Sequence, residues 1–273
     1  MKKLTTLLFV LLFAGTTAFA QNTATVDQSG DNQVANATQF GSTNTVDIDQ
    51  LSTNTGPQEA EAMQDGTGNN ATISQTQSGG GGNTPANTAF IEQIGTSNVS
   101  SQMQNAPGYN SGQHVWGYQE GTSNILSQTI SGGYANSLKS EQYGTGNSAD
   151  QTANGPYADG NVYQDGTDNI AEQSLTGSNN GYSSAIMLIE QLGTENYASQ
   201  IFAGSGLGHM NNAEIYQDGL DNDAWQDGSG RDLNAELYQT GDSNWSMQTQ
   251  TGNGHSSVVT QTGSGNVATT VQQ

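Results

Sequence analysis

Residues Leu233 to Gln250 read LNAELYQTGDSNWSMQTQ, and the phrase Gln-x-Gly-x-x-Asn at their centre decides the fold. The phrase occurs ten times with unchanged internal spacing, while the distance between successive copies varies from 22 to 29 residues. A fixed element between variable gaps is typical of a repeat architecture. The copies begin at Gln39, Gln64, Gln93, Gln119, Gln142, Gln164, Gln191, Gln217, Gln239 and Gln261.

The segments on either side of each phrase alternate in polarity. Two and four residues before the Gln, and two after the Asn, the side chains are mainly Ala, Ser, Val, Ile or Leu. The acidic side chains take the other parity or fall in turns. Successive side chains of a strand point to opposite faces, so the pattern predicts two strands with one neutral inward face each. The four residues between Gln and Asn suit a tight turn, with the Gly at positive φ.

Amide side chains end each inward face, where single buried amides would be costly without hydrogen-bond partners. Identical amides stacked along an axis bond to one another as ladders, as in cross-β structures. The sequence therefore predicts amide ladders and turns built by Gln39, Gly41, Asn44, Gln50, Gln64, Gly66, Asn69, Gln75, Gln93, Gly95, Asn98, Gln104, Gln119, Gly121, Asn124, Gln142, Gly144, Asn147, Gln164, Gly166, Asn169, Gln191, Gly193, Asn196, Gln217, Gly219, Asn222, Gln239, Gly241, Asn244, Gln250, Gln261, Gly263, Asn266 and Gln272.

These patterns predict an all-β fold, a two-sheet β-solenoid of about ten strand-turn-strand coils. Each coil runs from six residues before the Gln to six after the Asn, as in 233–250. At about 4.8 Å per coil the stack would be roughly 45–50 Å long. The solenoid is expected over 33–273, and 21–32 is an N-terminal segment that could form a half-coil.

The first twenty residues differ from the rest of the chain. Lys2 and Lys3 precede an apolar run, and Ala18-Phe19-Ala20 supplies a small-x-small cleavage site. We therefore expect a secretory signal peptide at 1–20. The run is too short to span a bilayer, and no later segment suggests a transmembrane anchor.

Composition excludes several classes of function. After residue 20 only Lys139 and Arg231 are basic, against 25 acidic residues, so nucleic acid would be repelled. The chain has no Cys and hence no disulfide. A metal site, another cofactor and a catalytic site are not expected, since His114, His209 and His255 have no repeated partner.

The phrase, followed six residues after its Asn by a closing Gln, resembles the curlin repeat of curli, the extracellular amyloid fibres of bacterial biofilms. The resemblance covers about 33–273. Gln50, Gln75, Gln104, Gln250 and Gln272 are the closing residues that match. In the middle coils Ile130, Ala153, Leu175, Phe202 and Gly228 replace them, and a Gln two residues earlier suggests a shifted ladder on the same face.

The resemblance implies a secreted, structural, pilus-like subunit that forms cell-surface fibres for biofilm matrix, adhesion and aggregation. Its partners would be copies of itself, other curlin subunits or a nucleator, and an outer-membrane curli secretion pore. Whether the chain is a major subunit or a nucleator stays open. From the residues themselves, a motif that continues almost to both ends of the mature chain predicts end-to-end addition.

Other readings stay open beside this one. A secreted solenoid adhesin or stalk is the main alternative. A row of turn threonines could bind ice, acids beside the Gly could recruit calcium, and outward aromatics could stack on sugars or neighbouring fibrils. The threonines are Thr67, Thr96, Thr122, Thr145, Thr167 and Thr194; the acids are Asp65, Glu120, Asp165 and Asp218; the aromatics are Trp116, Tyr118, Tyr163, Tyr216, Trp225, Tyr238 and Trp245.

Overall fold

The protein folds into two parallel β-sheets that face each other, as seen in a computed structural model. The structure describes residues 21–53, 56–78, 86–107, 112–133, 135–176, 184–204 and 210–273. The expected signal peptide, His209 and residues 79–85, which belong to the connection between the second and third coils, lie outside these residues. The described part contains 21 strands and no helix, which confirms the all-β prediction.

Strands alternate between the two sheets along the chain. The 10-stranded even sheet holds β2 (Gln33–Ser42), β4 (Gln58–Thr67), β6 (Asn87–Thr96), β8 (His114–Thr122), β10 (Ser137–Thr145), β12 (Ala158–Thr167), β14 (Ser184–Thr194), β16 (Met210–Leu220), β18 (Asn234–Asp242) and β20 (Ser256–Thr262). The 11-stranded odd sheet holds β1 (Thr23–Ser29), β3 (Thr45–Ser52), β5 (Asn70–Ser78), β7 (Val99–Pro107), β9 (Ile125–Ser131), β11 (Ser148–Asn154), β13 (Ile170–Thr176), β15 (Tyr197–Gly204), β17 (Asp223–Arg231), β19 (Trp245–Asn253) and β21 (Val267–Gln272).

One even strand and the odd strand after it make one coil, and each strand pairs in parallel with the equivalent strand of the next coil. The pairing aligns the motif, so that Gln142 lies beside Gln164 and Gly144 beside Gly166. The predicted two-sheet β-solenoid is confirmed. β1 adds a strand before the first coil, with Gln28 beside Gln50 in the odd sheet.

The motif corner, the four residues between the Gln and the Asn, differs from the predicted simple turn. Every even strand except β20 continues through the Gly and the residue after it, as in β10, because the Gly backbones of adjacent coils still pair. All ten of these Gly residues have positive φ, as predicted. A second positive φ, which the sequence did not predict, falls directly before each Asn, at Thr43, Gly68, Ser97, Ser123, Gly146, Asp168, Glu195, Asp221, Ser243 and Gly265.

The return edge, where each odd strand leads to the next even strand, carries connections of variable length. Where four residues make the connection, it repeats the geometry of the motif corner. Gly230 and Asp232 have φ of 149° and 52°, and Gly252 and Gly254 have φ of 118° and 71°. From Asn211 onward, the two kinds of corner therefore alternate, with one corner every 11 residues along the chain.

The core is a thin layer between the sheets. Small and branched side chains alternate with amides, and every buried polar side chain in the described part is Asn, Gln or Ser. Middle coils add larger groups, among them Leu138, Leu175, Met187 and Phe202. Because the charged side chains lie outward, the inward faces of neighbouring coils can stack without electrostatic cost.

Candidate functional site

The opening glutamines form an unbroken ladder through all ten coils of the even sheet. Each Nε2 donates to the Oε1 of the next Gln at 2.8 to 2.9 Å, from Gln39 through to Gln261. Each Nε2 also donates to a backbone carbonyl of the preceding turn of the solenoid, as Gln164 does to Ser148 at 3.0 Å. The amides are buried and paired, so they cost little and fix the register.

The motif asparagines form a second ladder that holds the corner. Each Nδ2 donates to the carbonyl of the corner Gly one coil further on, for example from Asn147 to Gly166 at 3.1 Å. Each Oδ1 accepts from the backbone N–H of the next Asn, as Asn147 does from Asn169 at 3.1 Å. Asn22 extends this ladder ahead of β1, since it bonds to Gly41 and Asn44. Asn22 carries the inward parity of β1, but without the full phrase it was not singled out from the sequence.

The closing-Gln ladder of the odd sheet is split into three parts. Gln28, Gln50, Gln75 and Gln104 form the first, with Nε2–Oε1 distances of 2.6 to 2.7 Å. The second lies two residues closer to the Asn and bonds at 2.8 to 3.0 Å. Its members are Gln102, Gln128, Gln151, Gln173, Gln200, Gln226 and Gln248. Gln250 and Gln272 make the third part, at 2.9 Å.

The shift exchanges an amide column and an apolar column on the same face. Ile48 and Ile73 lie two residues before the closing Gln in the early coils, whereas Ile130 and Leu175 occupy the closing position in the middle coils. Coils with Gln at both positions, such as Gln102 and Gln104, make the transition. The cost is visible where a new part begins, because Gln102 Oε1 and Gln250 Oε1 are buried without a hydrogen-bond partner.

Volume is matched between neighbouring coils in the shifted region. Phe202 lies beside Gly228 in the odd sheet and is 1% exposed. A Cβ on Gly228 would lie 2.2 Å from the Phe202 ring, so the missing side chain provides the space for the ring. Gly228 is therefore a packing residue, and its departure from Gln has a steric cause.

The stack has two end faces, which are formed by the first and last strands of the sheets and are distinct from the inward and outward faces. The N-terminal face consists of β1 and β2, and the C-terminal face of β20 and β21. Inward side chains of β1, β2 and β21 are more exposed than those of the interior strands. Every side-chain hydrogen bond of the even ladder runs from Nε2 of one Gln to Oε1 of the next. The first Gln, Gln39, therefore presents its acceptor Oε1 at one end of the stack, and the last, Gln261, presents its donor Nε2 at the other.

The outward faces carry the acids and two aromatic columns. Tyr118 and Tyr143 have ring centroids 5.4 Å apart, and Trp225 and Trp245 lie 5.6 Å apart. Burial, together with the neighbouring Glu141, raises the pKa of Tyr143 to about 12. Lys139 bonds to Glu141 at 2.6 Å and lies 5.0 Å from the Trp116 ring. The ring contacts and the Lys139–Trp116 contact link neighbouring strands across the sheet surface, whereas the Lys139–Glu141 pair lies within β10.

Backbone pairing aligns the six turn threonines in one column, with Thr67 beside Thr96 and Thr145 beside Thr167. It also places Asp65 and Glu120 on either side of Ile94, which interrupts the acidic row. Within the described ranges, no group of three or more His, Cys, Asp or Glu side chains is arranged to hold a metal ion. No helix of the described part is long and apolar enough to cross a bilayer.

Comparison with protein families finds a known sequence repeat at two places in the chain. The curlin associated repeat model matches residues 21–51 and 230–263. The chain therefore contains curlin repeats at these two places. Both matched stretches include a four-residue return connection, where the 11-residue spacing is undisturbed. No curated protein matches the chain.

Between the two matched stretches, the middle coils depart from a uniform repeat. Sequence reasoning identified the shifted glutamines but missed the second positive-φ position before each Asn. Gly68, Gly146 and Gly265 gave a signal for that position, and Ser, Asp, Glu and Thr elsewhere weakened it. The 11-residue spacing of the terminal coils was also missed, because the variable return connections hide it in the middle coils.

Proposed function

We propose that this curlin repeat protein is a secreted structural subunit that assembles end to end into curli-like functional amyloid fibres. The fibres would lie outside the cell and serve the biofilm matrix, adhesion and aggregation. The resemblance supports export through an outer-membrane curli pore and association with other curlin subunits or a nucleator. The sequence of residues 1–20 supports removal of a signal peptide before assembly.

The observation that most supports end-to-end assembly is that the two end faces of the stack are complementary. The first strands present amide oxygens and the last strands present amide nitrogens in equivalent ladder positions. Edge strands also offer backbone N–H and C=O groups for pairing with another chain. A second copy can therefore extend the same parallel sheets and ladders, as one coil extends another within the chain.

The outward acids fit this role. The full chain has a formal net charge of −21 and a sequence pI of about 4.1. Charge of this magnitude keeps separate chains soluble and opposes lateral association. Neutralising part of it should favour assembly, so we expect fibres to form faster as the pH falls from 7 towards 4.

The proposal is tested by incubating purified residues 21–273 at neutral and acidic pH. Fibres that bind thioflavin and diffract near 4.7 Å are expected. Sonicated fibres should remove the lag phase of a fresh sample, because each fibre end is a template. A monomer that stays stable at high concentration would contradict the proposal and favour an adhesin or stalk; thermal hysteresis of that monomer would favour ice binding.

Chelator provides a matched control for the acidic row. If the acids beside the corner Gly only face solvent, fibre formation with calcium and with chelator should follow the same time course. A strict calcium requirement would instead assign a binding role to Asp65, Glu120, Asp165 and Asp218.

A further inference from the structure

The odd number of strands raises a specific question about how copies join. The odd sheet has 11 strands and the even sheet has 10, because β1 precedes the first coil. If a second copy were stacked by simple translation, its β1 would follow β21 in the odd sheet. Its β2 would then lie two strand spacings, about 9.6 Å, beyond β20. One strand position of the even sheet would stay empty at every junction.

The two strands of a coil are variants of one 11-residue unit. Position 1 is an amide in most units, positions 3 and 5 point inward, position 7 is usually Gln and position 9 is usually Gly. Units begin at Asn22, Gln33 and Asn44 near the start, and at Asn211, Asn222, Leu233, Asn244, His255 and Asn266 near the end. A half turn about the solenoid axis therefore places even strands in the odd-sheet positions and odd strands in the even-sheet positions. Each moved strand then runs parallel to the strands of the sheet that it joins.

The return edge shows that this exchange also holds for hydrogen bonds. Asn211, in an even strand, donates from Nδ2 to the carbonyl of Gly230 at 3.2 Å. Its Oδ1 accepts from the backbone N–H of Leu233 at 3.1 Å. These are the bonds that Asn222 makes in the motif corner, to Gly241 and Asn244. An Asn that begins a unit in either sheet can thus accept from the first residue of the equivalent unit in the next coil, whether that residue is Leu or Asn.

We propose that successive subunits of the fibre are related by a half turn about the solenoid axis, so that β1 of one copy pairs with β20 of the previous one. This inference rests on the proposed assembly and specifies its geometry. β2 of the incoming copy then pairs with β21, and no strand position is left empty. The second copy of this chain is the committed partner.

The residues that meet at such a junction are complementary. In the even position, Val259 lies beside Val26 of the next copy, and Gln261 Nε2 faces Gln28 Oε1. In the odd position, Ala268 lies beside Ala35, and Gln272 Nε2 faces Gln39 Oε1. Asn266 Nδ2 can donate to the Gly30 carbonyl, the bond that Asn211 makes to Gly230. Small groups meet small groups, and ladder donors meet ladder acceptors.

The parity of the strand number provides the test. Because the chain lacks Cys, Arg231→Cys, at an exposed site on the return edge, accepts a single gold label. A half turn per subunit places successive labels on opposite sides of the fibre. Labels on one side should then recur every roughly 100 Å in electron micrographs, twice the length of 21 strands that rise about 2.4 Å each.

Two deletions in the labelled chain serve as matched variants. Removing 22–32 deletes one unit and leaves an even number of strands, so all labels should lie on one side, roughly 48 Å apart. Removing 233–254 deletes two units and keeps the number odd, so the labels should alternate as before. Same-sided labels on fibres of the full-length mature chain would overturn the half-turn junction and indicate that β1 leaves the sheet. A mature chain that forms no fibre at all would overturn the proposed function itself.

Discussion

The opening-Gln ladder of the even sheet and the closing-Gln ladder of the odd sheet are built from the same side chain, yet only the first is continuous. The even ladder links Gln39 to Gln261 without a break, whereas the odd ladder shifts by two residues at Gln102 and shifts back at Gln250. The opening Gln is adjacent to the motif corner, and the closing Gln is adjacent to the variable return edge. An amide ladder thus tolerates a lateral shift where its neighbouring corner permits one.

The corner cannot shift, for a steric reason. In every motif corner except the last, at Gly263, the Gly approaches the carbonyl of the Gly one coil further on so closely that a side chain has no space. A Cβ on Gly144 would lie 2.0 Å from the Gly166 oxygen. Asn147 then bonds to the same carbonyl. Since Gly and Asn fix the corner, the Gln directly before the corner, five residues before the Asn, keeps its place in every coil.

The largest predicted effect comes from filling a corner. Gly144→Ala should destabilise the fold by about 3 kcal/mol, because strained φ and a clash with the backbone coincide. Gly132→Ala is the matched control on the return edge, where φ is 73° and no atom lies within 4 Å of the added Cβ. It should cost about 1 kcal/mol. Guanidinium unfolding followed by circular dichroism measures both, and equal costs would refute the role of the close approach.

The second prediction compares an interior rung with the start of a shifted ladder. Gln164→Leu removes the acceptor of Gln142 and the donor to Gln191, so it should cost about 2–4 kcal/mol. Gln102→Leu removes the donors to Gln128 and to the Phe90 carbonyl but no used acceptor, because Gln102 Oε1 is already unpaired. It should cost about 1–2 kcal/mol. Guanidinium unfolding of both variants measures the two costs. A larger loss of unfolding free energy for Gln102→Leu than for Gln164→Leu would contradict the comparison.

The third prediction concerns the packed pair in the shifted region. Gly228→Ala should cost about 1–3 kcal/mol, since the new methyl group overlaps the Phe202 ring. In a Phe202→Leu background the same change should cost less, because the shorter side chain of Leu leaves the space open. A double-mutant cycle measures the coupling. Additive costs would show that Phe202 does not determine the Gly at 228.

The smallest predicted effect lies on the outward face and depends on pH. Burial raises the pKa of Asp159 above its ordinary 3.8, so the fold disfavours the charged form. Stability from the protonated side chain is present below pH 3.8 and is lost as the pH rises through the raised pKa. Asp159→Asn should therefore raise the melting temperature at pH 7 and leave it unchanged at pH 3.

Asp165→Asn in the same strand is the control for that measurement, because the Asp165 side chain is exposed to solvent. It should change the melting temperature little at either pH. An equal gain from both substitutions would indicate that overall net charge, rather than burial of Asp159, limits stability at pH 7.

Sequence reasoning predicted the two-sheet solenoid because strand alternation and stacked repeats leave one arrangement of the neutral face. It also indicated the shifted glutamines, from Gln128 to Gln226, since they keep the inward parity. It did not predict that the strands extend past the corner Gly. That extension depends on pairing between Gly residues of different coils, which no local pattern reports.

The amino-acid sequence by itself determined the number of coils, the inward and outward faces and the positions of the amides, because side-chain periodicity in a strand is set by backbone geometry alone. Only the tertiary structure decided which side-chain amides bond to which and where buried amide oxygens stay unpaired. It also decided that the odd sheet has one strand more than the even sheet. Those features depend on distances between coils 22 or more residues apart. They become defined only when the coils stack.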